Sequence, residues 1–328
     1  MDIMARRVDI QAIIDNPESD IKLRARLKQV QEIRRFAVDR LKLPDNDSYS
    51  QYVKLDHPYV LQNLFAAPEF STRLKSWCYP IAGCTSYRGF FEEDRLQSYV
   101  EQLQTENMEI HIGKTSAYST LGWFDDPVLS SFVNWKDYRL AGLLFHELTH
   151  QVLYIDDDTE FNESLATTVQ QQGTRLWLQS HHRTAELDEL QRWNIYRQAV
   201  IVLIGKTRNS LNDLYRQELP ENDLRQNKKQ ILLKARSEHQ QLANKHDIKY
   251  GFRRWFSEGL NNAKLGSIST YNAKVPAFNS ILHSHNYDFD LFYKTVAHLG
   301  SLPKKTRDSC LNDWQGHESL LKSICRLH

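Results

Sequence analysis

Long apolar runs are missing from this chain of 328 residues. The longest, residues 199–205 (AVIVLIG), is far shorter than the ~18 residues of a membrane span, so we interpret it as a buried helix segment. An excess of one charge is also missing, because 42 Lys and Arg face 41 Asp and Glu, for a formal net charge of +1. A general nucleic-acid binder would normally show a basic excess or patch, and this balance argues against one.

A signal peptide is missing from the start of the sequence as given. Residues 1–8 (MDIMARRV) carry charge without an apolar segment after it, which alone favours a cytoplasmic protein or a chain trimmed of its leader. Cysteine is scarce, with four residues in two local pairs: Cys78 with Cys84, and Cys310 with Cys325. This spacing fits two short-loop disulfides in an oxidising compartment, and four reduced thiols are the alternative.

The most informative motif is HELTH at residues 146–150. The apolar spacing before it predicts a helix, where positions i and i+4 share one face, so the imidazoles of His146 and His150 can converge on one metal ion. Glu147 can then reach a water molecule on that metal without being a ligand. This HExxH pattern is the signature of zinc metallopeptidases. The competing interpretation makes both histidines surface groups on an amphipathic helix.

Catalytic zinc usually takes three protein ligands and keeps a fourth position for water. Glu163, in residues 162–166 (NESLA), heads a second apolar helical pattern and is our candidate for the third ligand. The acidic residues between the motifs are the alternatives: Asp156, Asp157, Asp158 and Glu160. Consecutive aspartates are more often a solvated loop and a helix start. We do not expect cysteine ligands, because the histidine motif already has its partners.

The pattern along the chain predicts an α+β protein that is predominantly helical. Helices are expected over 20–43, 92–103, 185–217 and 221–246, the last two as an antiparallel pair, and around 268–283, 288–298 and 311–326. Strands are expected at 87–91, 109–112 and 117–124. The predicted parts are 1–183, with a small sheet and both motifs, and a helical part at 184–328; one continuous domain is the alternative.

Several further segments carry a resemblance to a known family. They are 65–70 (FAAPEF), 77–84 (WCYPIAGC), 87–91 (YRGFF), 118–127 (YSTLGWFDDP), 145–151 (FHELTHQ), 161–166 (FNESLA), 260–263 (LNNA) and 275–278 (VPAF). Through these segments the sequence closely resembles the bacterial "predicted aminopeptidase" family of zinc peptidases, and the resemblance covers nearly the whole chain. The resemblance implies a zincin-like core with one Zn²⁺ per chain and a periplasmic lipoprotein anchored to the membrane, whose leader is absent here. It also favours a Cys78–Cys84 disulfide.

The residues support peptidase chemistry better than amino-terminal specificity. The NExxA motif also resembles the second motif of gluzincin peptidases, including alanyl-type aminopeptidases, but the interval between the motifs is shorter here. The Gly-x-Met-Glu-Asn sequence with which those aminopeptidases hold a free amino terminus is absent. Thr167 occupies the position, four after Glu163, where thermolysin-like enzymes place an acidic residue.

These features predict a role for each candidate. Glu147 is the general base, and Tyr271 is the candidate donor to the oxyanion, with a buried structural tyrosine as the alternative. Strand 117–124, with Tyr118, Ser119 and Thr120, could pair with a peptide substrate or be an ordinary interior strand. Asp125 and Asp126 could hold a substrate ammonium or form a turn before Pro127. The alternatives in function are an endopeptidase, a cell-wall peptide hydrolase, or a non-catalytic zinc-containing binding protein.

Overall fold

The structure is a computed structural model that describes residues 4–79, 83–117, 125–156, 158–249, 251–268, 273–316 and 325. It is α+β and predominantly helical, as the sequence predicted. After a short 3₁₀ turn at Met4–Arg6, the strands are β1 (Val8–Asp9), β2 (Gln51–Val53), β3 (Leu61–Pro68), β4 (Trp77–Tyr79), β5 (Gly83–Thr85), β6 (Arg88–Phe90), β7 (Met108–Thr115) and β8 (Val128–Leu129). The helices are α1 (Ile10–Asp15), α2 (Ile21–Leu41), α3 (Glu93–Thr105), α4 (Asp137–Val152), α5 (Thr159–Ser180), α6 (Thr184–Tyr215), α7 (Glu221–Lys245), α8 (Phe252–Ser257), α9 (Asn262–Ser267), α10 (Val275–Ser284), α11 (Phe289–Ser301) and α12 (Lys304–Gly316).

The chain packs into two compact units, and neither is continuous in sequence. Unit 1 comprises Met1–Pro58, Ala117–Glu186 and Tyr271–His328, whereas unit 2 comprises Tyr59–Ser116 and Leu187–Thr270. The two parts predicted from the sequence, 1–183 and 184–328, are each continuous in the chain. This division into domains stays a prediction.

Unit 1 is built around the helical pair α4 and α5. Helix α2, which lies within the helix predicted at 20–43, packs on both, and its buried face repeats at helical spacing through Leu27, Val30, Ile33, Ala37 and Leu41. A three-stranded sheet in the order β1-β2-β8 accompanies them, with β1 antiparallel and β8 parallel to β2. The core is therefore mainly helix on helix, with a small sheet beside it.

Two glycines let α4 and α5 approach closely. A Cβ atom added at Gly173 would lie 2.6 Å from Leu41 Cδ1 and 3.0 Å from Phe145 Cδ2. A Cβ added at Gly142 would lie 3.0 Å from Thr174 Oγ1. Both positions sit inside helices, where glycine is otherwise unfavourable, so the close packing explains their presence.

Unit 2 combines a sheet with a long helical pair. Its main sheet has the order β6-β3-β7, and β3 pairs with β7 along its whole length, from Leu61 opposite Thr115 to Pro68 opposite Met108. Helix α3 covers this sheet with Leu96, Val100 and Leu103 in one buried cluster with Leu64 and Ala66 of β3. Helices α6 and α7 run antiparallel, as predicted, because Tyr196 meets His239 at one end and Tyr215 meets Lys228 at the other.

The cysteines bond in the two local pairs. Cys78 and Cys84 face each other across the β4–β5 hairpin of unit 2, and Cys310 of α12 bonds to Cys325 in unit 1. Within the described ranges, no helix is both long enough and apolar enough to cross a membrane.

Some predicted elements differ from the observed ones. Strand β3, the central strand of its sheet, was not predicted from the sequence. The helix expected around 268–283 is replaced by α9 and α10, with residues 269–272 between them outside the described part. The helix expected at 311–326 begins earlier, at Lys304, directly after Pro303, because proline favours the start of a helix and not its interior.

Candidate metal centre

Helix α4 presents two imidazoles toward one point. His146 and His150 lie one turn apart, their ring centroids are 4.9 Å apart, and their Nε2 atoms are 3.3 Å apart. The helix is buried on most sides, including Leu144, Phe145 and Leu148 next to the histidines. This packing fixes the helix, so the two rings have a rigid support.

A tight turn between α4 and α5 brings the second motif back to the first. The Asn162 side chain accepts a hydrogen bond from Ile155 N at 2.9 Å and donates one to Ile155 O at 2.8 Å. Asp158 caps α5 by accepting from Phe161 N at 3.3 Å. The asparagine of NExxA is therefore a structural residue, which closes the turn and places Glu163 beside the histidines.

The three candidate ligands converge at metal-binding distances. Glu163 Oε2 lies 3.4 Å from His146 Nε2, and Glu163 Oε1 lies 3.7 Å from His150 Nε2. A tetrahedral zinc ion with bonds of roughly 2.0–2.2 Å would hold its donor atoms roughly 3.3–3.6 Å apart. Among the described residues, these three form the cluster of His, Cys, Asp and Glu that could hold a metal ion. The donor set and its spacing fit zinc.

The electrostatics of the cluster also fit a cation. Burial would raise the pKa of Glu163, but its contact with His146 and the charges of both histidines outweigh burial and lower it. Burial and the charge of His146 lower the pKa of His150 to about 4. Burial would lower the pKa of His146 too, but Glu163, Glu147 and Gln170 together raise it. The cluster therefore favours a carboxylate at Glu163 and a neutral imidazole at His150, and a metal ion would compete with a proton for His146.

Gln170 orients His146 from the opposite side. It lies on α5 two helical turns after Glu163, and its Oε1 is 3.1 Å from His146 Nδ1. A proton on Nδ1 that is donated to this oxygen leaves Nε2 as a lone pair facing the cluster. Gln170 was not among the predicted site residues, and its only signal in the sequence is its position seven residues after Glu163.

His150 has no such support. Its Nδ1 is buried without a hydrogen-bond partner among the described residues. When a neutral imidazole binds a metal through Nε2, its proton is on Nδ1. A buried donor without an acceptor costs about 1–3 kcal/mol. The two histidines are therefore unequal, and His146 is the better oriented of the pair.

The acidic alternatives to Glu163 are placed elsewhere. Asp158 is buried and bound to Lys304 and Arg307, Glu160 lies 3.6 Å from Lys274, and Asp156 is exposed. Asp157 falls outside the described residues.

The remaining candidates are only partly described. Asp126 is 2% exposed, whereas Asp125 is exposed. Tyr118, Ser119, Thr120 and Tyr271 lie outside the described residues, as does most of the expected strand at 117–124. Glu147 is half-buried on α4, directly after His146. The substrate and oxyanion roles stay predictions.

Comparison with known proteins gives one result. No curated protein and no solved structure matches the chain. The sequence profile of a family described as "Putative aminopeptidase" matches residues 1–311, which include both motifs, all of unit 2 and most of unit 1. The chain therefore belongs to the "Putative aminopeptidase" family.

Proposed function

We propose that this protein is a zinc-dependent peptidase, and that the zinc ion is held by His146, His150 and Glu163. The observation that carries the proposal is the convergence of these three side chains, whose nearest donor atoms lie 3.3–3.7 Å apart pair by pair, with Glu147 directly after His146 in the chain. The family described as "Putative aminopeptidase" supports peptide-bond hydrolysis as the activity.

Three protein donors favour catalysis over a structural role. Structural zinc sites are normally closed by four protein ligands, whereas catalytic sites keep a position open for water. The side chain of Glu163 is 36% exposed, so solvent can reach the cluster. When bound there, zinc would supply the Lewis acidity that activates a water molecule and polarises a peptide carbonyl.

Glu147 would act as the general base and then as the general acid. Its carboxylate takes a proton from the attacking water and delivers it to the departing amine, a role that typically contributes 10²–10⁴-fold in rate. Tyr271 remains the candidate donor to the oxyanion, and Asp125 or Asp126 the candidate partner of a substrate ammonium. Cleavage from the amino terminus rests on the family description, and endopeptidase or cell-wall peptide cleavage is the alternative within this activity.

The proposed location is the periplasm, with a lipid anchor on the full-length protein. This proposal rests on the resemblance, and the two disulfides support an oxidising compartment.

Elemental analysis and peptide cleavage test the function together. The purified protein should contain about one zinc per chain and cleave members of a peptide library. Glu147→Gln should keep the zinc and lose about 10²–10⁴-fold in kcat. Glu101→Gln, at an exposed position of α3, is the matched control and should change neither.

Two results would contradict the proposal. A protein that takes up no zinc on titration has no metal centre of this kind, and a binding protein becomes the better interpretation. Full activity in Glu147→Gln would show that the proton passes through another group.

A further inference from the structure

Unit 2 contains a pocket along helix α7, which we call the α7 pocket. Its lining consists of α7 residues between Arg225 and Arg236, together with Glu69, Glu109, Gly259 and Leu260. All of these residues belong to unit 2. The volume of about 490 Å³ is in the range of cavities that bind ligands. The pocket is therefore large enough for a ligand and is contained in one compact unit.

Two cations of the α7 pocket are neutralised by its two carboxylates. Arg225 donates through Nε and Nη2 to the two carboxylate oxygens of Glu69, at 2.8 and 3.0 Å. Lys228 is 6% exposed, and its Nζ donates to the Glu109 carboxylate at 2.5 Å and to the Glu69 carbonyl at 2.6 Å. These contacts hold this part of the pocket in place and use up its negative charge.

The other two cations of the α7 pocket are not neutralised. Lys229 and Arg236 line it, both are exposed, and neither has a carboxylate partner within the described part of the chain. Arg236 donates through Nε to the Phe256 carbonyl at 3.1 Å, which fixes the guanidinium and leaves both Nη groups for a ligand. A guanidinium suits a carboxylate, because the two can form parallel hydrogen bonds. The pocket therefore offers two fixed positions for negative groups.

Apolar side chains separate these two cations. Lys229 and Arg236 are seven residues apart on one face of α7, so their Cα atoms are about 10 Å apart. Leu232 and Leu233 lie between them and line the pocket, as does Leu260. Leu233 is 44% exposed, so a ligand in the pocket can cover it. The matching ligand has an apolar group between two negative charges that are about 10 Å apart.

We propose that the α7 pocket binds an acidic peptide segment in which apolar residues lie between two carboxylates. In an extended chain, residues i and i+3 are about 10 Å apart, which matches the separation of Lys229 and Arg236. Their side chains would bind the two carboxylates, and Leu233 would contact the apolar residues. A membrane surface fits less well, because the site is a pocket and already contains two carboxylates. The proposal does not rest on the proposed function, since no residue of the metal centre takes part.

Fluorescence anisotropy of a labelled peptide tests the proposal on the whole protein. The probe contains Glu-Leu-Leu-Glu and ends in an amide, so its carboxylates are those of its side chains. A probe with Gln-Leu-Leu-Gln should bind about 4- to 25-fold more weakly, since each exposed ion pair contributes about 2- to 5-fold. Mass spectrometry after the titration verifies that the peptides are intact. Equal affinity for both probes, or no binding of the acidic probe at about 1 mM, would overturn the proposal.

Substitutions on α7 locate the site. Lys229→Gln and Arg236→Gln should each weaken binding of the acidic probe about 2- to 5-fold, and the double variant about 4- to 25-fold. Leu233→Glu should also weaken it, because a negative charge would then lie between the two cations. All three positions are exposed, so the variants should fold.

Lys234→Gln is the matched control, because Lys234 is an exposed lysine of α7 outside the pocket lining. It should leave the affinity for the acidic probe unchanged. A double variant that binds the probe as tightly as this control would overturn the assignment to the α7 pocket. Binding of vesicles that contain phosphatidylglycerol, without binding of the acidic probe, would overturn the peptide as ligand and indicate a membrane surface instead.

Discussion

Asp158 offers the sharpest test of how unit 1 holds the second motif. Its buried carboxylate caps α5 and accepts hydrogen bonds from Lys304 Nζ at 2.9 Å, Arg307 Nε at 3.1 Å and Arg307 Nη2 at 2.6 Å. We call this set the Asp158 clamp. It ties the first turn of α5, which leads to Glu163, to helix α12.

Asp158→Asn removes the charge and keeps the shape. Asparagine is an equally good helix cap, so the bond to Phe161 N should survive. Arg307, whose side chain is 5% exposed, would then be a buried cation without its carboxylate. Breaking a buried pair in this way costs about 3–5 kcal/mol. Arg307 keeps the carbonyls of Gly300 and Leu302 as acceptors, so we expect the lower end, about 3 kcal/mol.

Urea unfolding at pH 7 measures this difference in the free energy of unfolding. The matched control is Asp213→Asn, because Asp213 pairs with Arg216 on the surface, where both side chains are more than two-thirds exposed. An exposed pair contributes little to stability, so the control should have the same free energy of unfolding as the wild type. The reasoning is refuted if Asp158→Asn is as stable as that control.

The pH dependence gives a second check with a defined sign. Burial would raise the pKa of Asp158, but Lys304, Arg307 and Lys274 outweigh burial, so the pKa is lowered in the folded protein. A carboxyl with a lowered folded pKa stabilises the fold above its unfolded pKa and loses that contribution as the pH falls through the folded value. The difference in the free energy of unfolding between wild type and Asp158→Asn should be constant at neutral pH and should decrease below about pH 5. Narrowing on the alkaline side would contradict this assignment.

Two further substitutions test the metal centre and the helical pair. Gln170→Ala should weaken zinc binding about 10- to 100-fold, because His146 loses the group that orients it. Competition with a chromogenic chelator measures the zinc affinity, and Gln171→Ala is the control. Gly173→Ala should destabilise the protein by about 1–3 kcal/mol through overpacking against Leu41 and Phe145. Gly205→Ala in α6 is its control in thermal unfolding and should be neutral or stabilising, because a Cβ there meets nothing within 4 Å.

The sequence was most informative where the structure is local. Helix α4 and its two histidines follow from i, i+4 spacing. The helical spacing of apolar residues located α2, α6 and α7 within a few residues of their ends. Glu163 could be selected because a second helix was expected directly after a short turn. In each case the interacting residues are close neighbours in the chain, so a periodic pattern contains the relevant information.

Features that depend on distant partners could not be read from the sequence. Strand β3 contains Ala66, Ala67 and Pro68, which are poor strand formers, and it is a strand because β6 and β7 pair with it on both sides. In the sequence Tyr49 is an ordinary tyrosine of a polar loop, whereas in the structure it is buried and its N–H donates to the distant Asp126 carbonyl. The sequence leaves Asp158 as an alternative metal ligand, and only the fold shows that Lys304 and Arg307 bind its carboxylate.

The helical hairpin of α4 and α5 has a consequence for folding. All three candidate donors lie in one short stretch, from His146 to Glu163, whereas β3 must find partners that are distant in sequence. Local contacts form early because little loop-closure entropy opposes them, and non-local strand pairing is slow. The donor set can therefore assemble before the sheet of unit 2. A metal ion bound at that stage would stabilise the hairpin and make it a nucleus for the rest of unit 1.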